Sequence, residues 1–120
     1  MTENEITVNG VEYVRKDSVV GVKSSEGLPY VMVRTYSAGV FVGYLKERNG
    51  KEVELLYARR LWYWSGAASL SQLATVGTSD PKNCKFPTEV NSVILTEAIE
   101  IIPVTPEAKK SISGVGVWEK

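Results

Sequence analysis

Histidine is absent from the 120 residues and Cys84 is the single cysteine, so a disulfide within the chain, a Cys/His zinc site and any His-dependent triad are excluded. With no histidine to generate a thiolate, Cys84 reads as a structural thiol rather than a nucleophile. Asp, Glu, Lys and Tyr are the acid/base groups that remain, and no spacing pairs them for catalysis. The expectation is a protein that is not an enzyme and needs no metal or cofactor. A surplus of one charge is also missing, since fourteen basic residues face fourteen acidic ones. That balance argues against a long nucleic acid or an anionic membrane as partner, because both require a basic surface. No apolar run reaches the length that crosses a bilayer, and the start Met-Thr-Glu-Asn-Glu has no basic n-region of a secretion signal, so a cytosolic protein is expected. There is no internal repeat, low-complexity tract or linker. A chain of 120 residues suits one domain with a core of its own.

The stretch richest in ligand-like side chains runs from Arg59 to Ala74: two adjacent arginines, two of the three tryptophans and a helix start fall within it. If Tyr57 to Trp64 is extended, alternation puts Arg59, Leu61 and Tyr63 on one face and Arg60, Trp62 and Trp64 on the other. Ser65 or Ser69 can then cap a helix, and Ser69 to Gln72 has capping-box spacing. Free backbone N–H groups between Ser65 and Ser69, Gly66 among them, can take an anion. Arginine forks for phosphate, aromatic faces for a base and a helix start for an anion are together what a nucleotide site needs. The competing reading makes the same aromatics core and the arginines cover for a sheet edge.

Along the chain, Ile6 to Val20 suits a hairpin turned at Asn9-Gly10, and Gly21 to Pro29 reads as a loop. Tyr30 to Tyr36 alternates as a strand, Ser37-Ala38-Gly39 turns it into Val40 to Arg48, and a two-residue turn at Asn49-Gly50 predicts Arg48 opposite Lys51, Tyr44 opposite Leu55 and Val42 opposite Tyr57. The resulting one-sided core calls for helices on one face of an antiparallel meander. A helix follows Trp64 to about Val76 and stops at Gly77. Thr78 to Pro87 is a polar loop in which Lys82, Lys85 and Phe86 either close over a base and phosphate or leave Phe86 as a core plug. Val93 to Val104 reads as strand. Thr105-Pro106-Glu107 starts a short helix to about Ser113, and Gly114 to Trp118 reads as a terminal strand. The predicted class is α+β: an antiparallel meander, two helices and a smaller C-terminal antiparallel sheet, all in one domain.

Tyr30-Val-Met-Val-Arg-Thr-Tyr-Ser-Ala-Gly-Val-Phe-Val-Gly-Tyr, then Ala58-Arg-Arg-Leu-Trp-Tyr-Trp-Ser-Gly-Ala-Ala-Ser-Leu-Ser-Gln-Leu-Ala, then Lys85-Phe-Pro and Leu95-Thr-Glu resemble a family of small phage and prophage proteins, the Thoeris anti-defence sponges of the first type. The resemblance runs from about Tyr30 to Trp118. It implies a non-enzymatic protein of the host bacterial cytoplasm that sequesters cyclic ADP-ribose isomers such as glycocyclic ADP-ribose, and in some members cyclic oligonucleotides, without degrading them. It also implies dimers that assemble up to hexamers with ligand sites between subunits. At the matching blocks, side-chain chemistry nominates Arg59, Arg60 and Arg34 to fork phosphates and Tyr36, Trp62, Trp64 and Phe86 to stack. Ser65 and Gly66 offer backbone N–H groups, and Asn91 reads a base edge or ribose. The other classes open at this point are a module that binds and inhibits a host protein and, behind it, a nucleotide-degrading enzyme.

Overall fold

In the computed structural model, which describes residues 7–8, 11–12 and 27–119, the β-branched and aromatic runs form strands and the serine- and threonine-capped segments form helices. Two short strands, β1 (Thr7–Val8) and β2 (Val11–Glu12), pair antiparallel with Val8 opposite Val11. The expected Asn9-Gly10 turn itself, and most of the expected loop before Pro29, lie outside the described residues. The main sheet contains β3 (Tyr30–Thr35), β4 (Val40–Asn49), β5 (Glu52–Arg60), β6 (Val90–Leu95) and β7 (Ala98–Pro103). Its spatial order is β6-β5-β4-β3-β7, with every neighbouring pair antiparallel.

That order forces the sheet to roll. β6 and β7 are its opposite edges, yet only Thr96 and Glu97 separate them in the chain. Leu95 to Ala98 is three peptide steps, at most about 11 Å, whereas a flat five-stranded sheet would hold its edges roughly 19 Å apart. The closure is pinned by backbone bonds: the Ala98 N–H donates to the Lys51 carbonyl at 3.0 Å, and the Tyr36 N–H donates to the Glu97 carbonyl at 3.0 Å. Strand alternation then supplies two apolar clusters. Val31, Val33, Phe41, Val53, Leu55, Ala58 and Leu95 line the inside of the roll. Met32, Val40 and Val42 face outward, where they pack with Leu61, Leu73, Phe86, Ile112 and Val115.

Two helices cover the outer face. α1 (Leu70–Val76) is capped by Ser69, whose side chain accepts from the Gln72 N–H, and ends at Gly77 with φ of 81°, a left-handed position where the cap N–H donates to the Leu73 carbonyl. α2 (Pro106–Ser113) is capped by Thr105, whose hydroxyl accepts from the Ala108 N–H. The helices bury Leu73 and Ala74 of one and Ala108 and Ile112 of the other. Thr105 links them by donating from its hydroxyl to the Thr75 carbonyl at 2.6 Å.

Several expectations need correction. The core is two-sided, because rolling buries the inner face without a second helical layer. The span from Val93 to Val104 is two strands on opposite edges, bent at Thr96-Glu97, rather than one. Among the described residues, Gly114 to Trp118 contributes a single parallel bridge, Val117 to Phe86, and no smaller C-terminal sheet forms. The hairpin after β4 turns through Gly50 and Lys51, so Arg48 pairs with Val53, and an irregularity at Lys46 then pairs Leu45 with Leu55. A bulge then sets Tyr57, at φ 52°, and Ala58 against Gly43, which brings Val42 opposite Arg59. The segment from Ser65 to Ala68 is irregular, and the helix starts only at Leu70.

Candidate functional site

The arginine pair divides sharply. Arg59 is buried at 8% exposure, and its guanidinium is spent on backbone carbonyls. Nε donates to Pro87 at 3.0 Å, Nη1 to Ile112 at 3.1 Å, and Nη2 to Phe86 at 3.1 Å, Val115 at 2.8 Å and Gly116 at 3.1 Å. Burial pulls its pKa below the ordinary guanidinium value, opposed by Tyr30 and Glu89. Arg59 therefore knits β5, the segment before β6 and the chain beyond α2 into one unit, and it turns few donors outward. Arg60 is exposed, with its guanidinium 4.7 Å from the centre of the Phe41 ring.

The other nominated residues scatter. Phe86 has no exposed surface and sits 5.5 Å from the Arg59 guanidinium, so it is core and cannot stack on a ligand. Trp64 packs half-buried against the outer cluster. Arg34 pairs with Glu100 at 2.9 Å, Tyr36 projects from the turn after β3 at 78% exposure, and Asn91 is exposed on edge strand β6.

Ser65 and Gly66 are tied into a loop lock. The Ser65 hydroxyl donates to Asp80 at 2.9 Å, its N–H faces Cys84 Sγ at 3.5 Å, and the Gly66 carbonyl accepts from the Ser79 N–H at 3.2 Å. The Ala68 N–H is taken by the Gln72 side chain at 2.9 Å. The Ser65 and Ala68 N–H groups are therefore spent within the loop, and Gly66 enters it through its carbonyl. Cys84 is a buried free thiol in the same lock, and hydrogen bonds from Asn83 and Ser65 hold the Asp80 carboxyl below the ordinary carboxylate range.

One constellation does come together at the surface. After β5 the chain continues through Leu61, which is buried, to Trp62 and Tyr63, which are exposed at 57% and 50%. Tyr63 bridges Lys85 across an antiparallel step, with the Lys85 N–H donating to the Tyr63 carbonyl at 2.7 Å. From the far end of the chain, Trp118 lies almost parallel to Trp62, with ring centres 5.0 Å apart and planes inclined by 13°. The Lys85 ammonium sits beside all three rings, 5.5 Å from Trp62, 5.8 Å from Tyr63 and 5.7 Å from Trp118. Among the described residues no carboxylate lies within ion-pair distance of it. The arrangement pairs wide π faces with one accessible cation, which suits a flat ring that carries negative charge.

Of these four residues the sequence nominates Trp62 for stacking and offers Lys85 as one of two loop lysines that could close over a base and phosphate. Lys85 was visible as a loop cation and Trp118 as the remaining tryptophan, but nothing in the spacing joins positions 62, 85 and 118. The Val117–Phe86 bridge and the Arg59 carbonyl cluster bring them together. Among the described residues no group of His, Cys, Asp and Glu is arranged to hold a metal ion, and no helix is long and apolar enough to cross a membrane.

Residues 28–112 match the model of a protein family described as a domain of unknown function, DUF6948. The match spans the five-stranded sheet and α1, ends within α2 and stops short of Trp118. No curated protein and no solved structure matches the chain.

Proposed function

The chain belongs to the DUF6948 family, a domain of unknown function, and from that premise we propose that it is a non-catalytic nucleotide-binding protein, one that takes up a small base-and-phosphate signal and holds it intact. The observation that carries this reading is the exposed Trp62–Trp118 pair with the Lys85 ammonium at its side. Stacking is sequence-tolerant because every base has a π face, and an ammonium beside the rings supplies a point charge for phosphate. The resemblance of the Tyr30–Tyr44 and Ala58–Ala74 blocks to the sponge family narrows the ligand to cyclic ADP-ribose isomers or cyclic oligonucleotides. It also supplies the role, denial of a defence signal in the host cytoplasm, and the assembly, a homo-oligomer.

Calorimetric titration with cyclic ADP-ribose and glycocyclic ADP-ribose tests the reading, followed by heat release and mass spectrometry of the ligand. The expected result is saturable uptake and recovery of the unaltered molecule. Replacing Trp62 by Ala should weaken binding by about 1–3 kcal/mol, the scale of one base–aromatic stack, which is roughly five- to 150-fold. Recovery of a hydrolysed product would make the protein an enzyme. Retention of a host polypeptide in a pull-down without any nucleotide uptake would make it a protein-binding inhibitor.

A further inference from the structure

The tail beyond α2 ends on the proposed site, and its last aromatic residue takes up the surface a ligand needs. Trp118 covers one face of Trp62 at a centroid separation of 5.0 Å. A third ring between the indoles would need each pair of centres about 4.5 Å or more apart, which this spacing does not allow. A base can reach the covered face of Trp62 only if Trp118 leaves it.

The way the tail is fastened makes that exchange local. Its root is firm, because the carbonyls of Val115 and Gly116 accept from buried Arg59 at 2.8 and 3.1 Å. Its tip is held more lightly: the Trp118 N–H donates to the Phe86 carbonyl at 3.0 Å, and the indole rests on Trp62 beside Lys85. Val117 between them is 53% exposed and contributes little burial. Gly116 precedes the tip, with nothing within 4 Å of the place where a side chain would begin. The root therefore stays docked while the tip has room to swing.

We infer that residues 117–119 form an exchangeable strap, in which Trp118 occupies the base-stacking face of Trp62 in the unliganded protein and a ligand base displaces it. The inference rests on the nucleotide-binding reading of the Trp62–Lys85 cluster and names how that site is regulated: the chain carries its own competitor. Lys85 serves both states, lying beside the Trp118 indole when the strap is closed and facing a ligand phosphate when it is open.

The test compares the full-length protein with Trp118→Ala and Trp118→Leu in calorimetric titrations with cyclic ADP-ribose, with melting temperature as the check on folding. Removing the competitor should tighten binding about tenfold in both variants, the change expected when the open strap is populated about one time in ten, while Trp62→Ala weakens it. Leucine keeps apolar cover for the neighbouring side chains, so the comparison survives if alanine loosens the tail. Weaker or unchanged binding in both Trp118 variants, with Trp62→Ala still defective, would overturn the strap and leave the binding site standing, with Trp118 as one of its walls. Absence of binding in the parent and in both Trp118 variants would overturn the site and the strap together.

Discussion

At the scale of single residues, Arg59 and Arg60 show how little adjacency says about role. Replacing Arg59 by Ala strips donors from five carbonyls, at Phe86, Pro87, Ile112, Val115 and Gly116, several of them shielded from water. The expected cost is about 3–5 kcal/mol, since each buried acceptor left without its donor costs about 1–3 kcal/mol, which is a large part of the stability of an ordinary domain. Arg59→Lys should fail as well, because an ammonium cannot span five acceptors in the plane of a fork. Arg60→Ala, which removes an exposed cation from above Phe41, should cost no more than about 1 kcal/mol. Urea unfolding of the three variants checks the ranking, and equal losses at the two positions would refute it. Asp80 gives a pH-dependent counterpart. Its folded pKa is depressed by hydrogen bonds from Asn83 and Ser65, so its contribution is present above its unfolded value, near 3.9, and is lost as pH falls through the lower folded value. Asp80→Asn should therefore flatten the acid limb of a stability–pH curve below about pH 4, and an unchanged limb would remove Asp80 from the loop lock.

At the scale of elements, the turn at Gly66 decides whether the junction after β5 can form. Gly66 has φ of 85°, and a Cβ there would lie 2.5 Å from the Asp80 backbone nitrogen and 2.6 Å from the Thr78 hydroxyl. Gly66→Ala combines left-handed strain with a collision against backbone, so a loss of about 1–3 kcal/mol is expected. A thermal melt unchanged from the parent would show that the lock gives way freely. This element was only half legible in the sequence. The capping chemistry at Gly77 and Thr105 is local, written within a few residues, and those boundaries could be read directly, whereas Ser65 and Ser69 both offered a cap for α1 and only Ser69 is used. The strand pairings could not, because the turn takes Gly50 and Lys51 instead of Asn49 and Gly50, the register shifts again at Lys46, and the bulge at Tyr57 places a tyrosine at positive φ, a choice no propensity favours, and moves every partner beyond it by one. The candidate site was obscured for a related reason: Trp62, Lys85 and Trp118 meet only after those registers are set. Of the two readings the sequence allows for Phe86, ligand contact or core plug, the fold takes the plug, since alternation across the Tyr63–Lys85 bridge sends one of each pair of neighbours inward.

At the scale of the whole molecule, both edges of the rolled sheet leave apolar side chains in water. Val90 and Ile94 on β6 and Ile99 on β7 are between 44% and 56% exposed. Edge strands with such side chains invite pairing, so a dimer or larger closed assembly is expected. Light scattering on the purified protein at micromolar concentration would show it, and a monomer mass there would refute it. The rolled topology also fixes an order of events during synthesis. β3 needs β7 as its outer neighbour, and Arg34 and Glu100, which join them, stand 66 residues apart. Pairings of that sequence separation close late, because the loop entropy is spent before the contact repays it. A nascent chain that has released β3, β4 and β5 therefore waits with Val31 and Val33 on an unsealed inner face until β7 leaves the ribosome, and during that interval the half-rolled sheet is a substrate for chaperones.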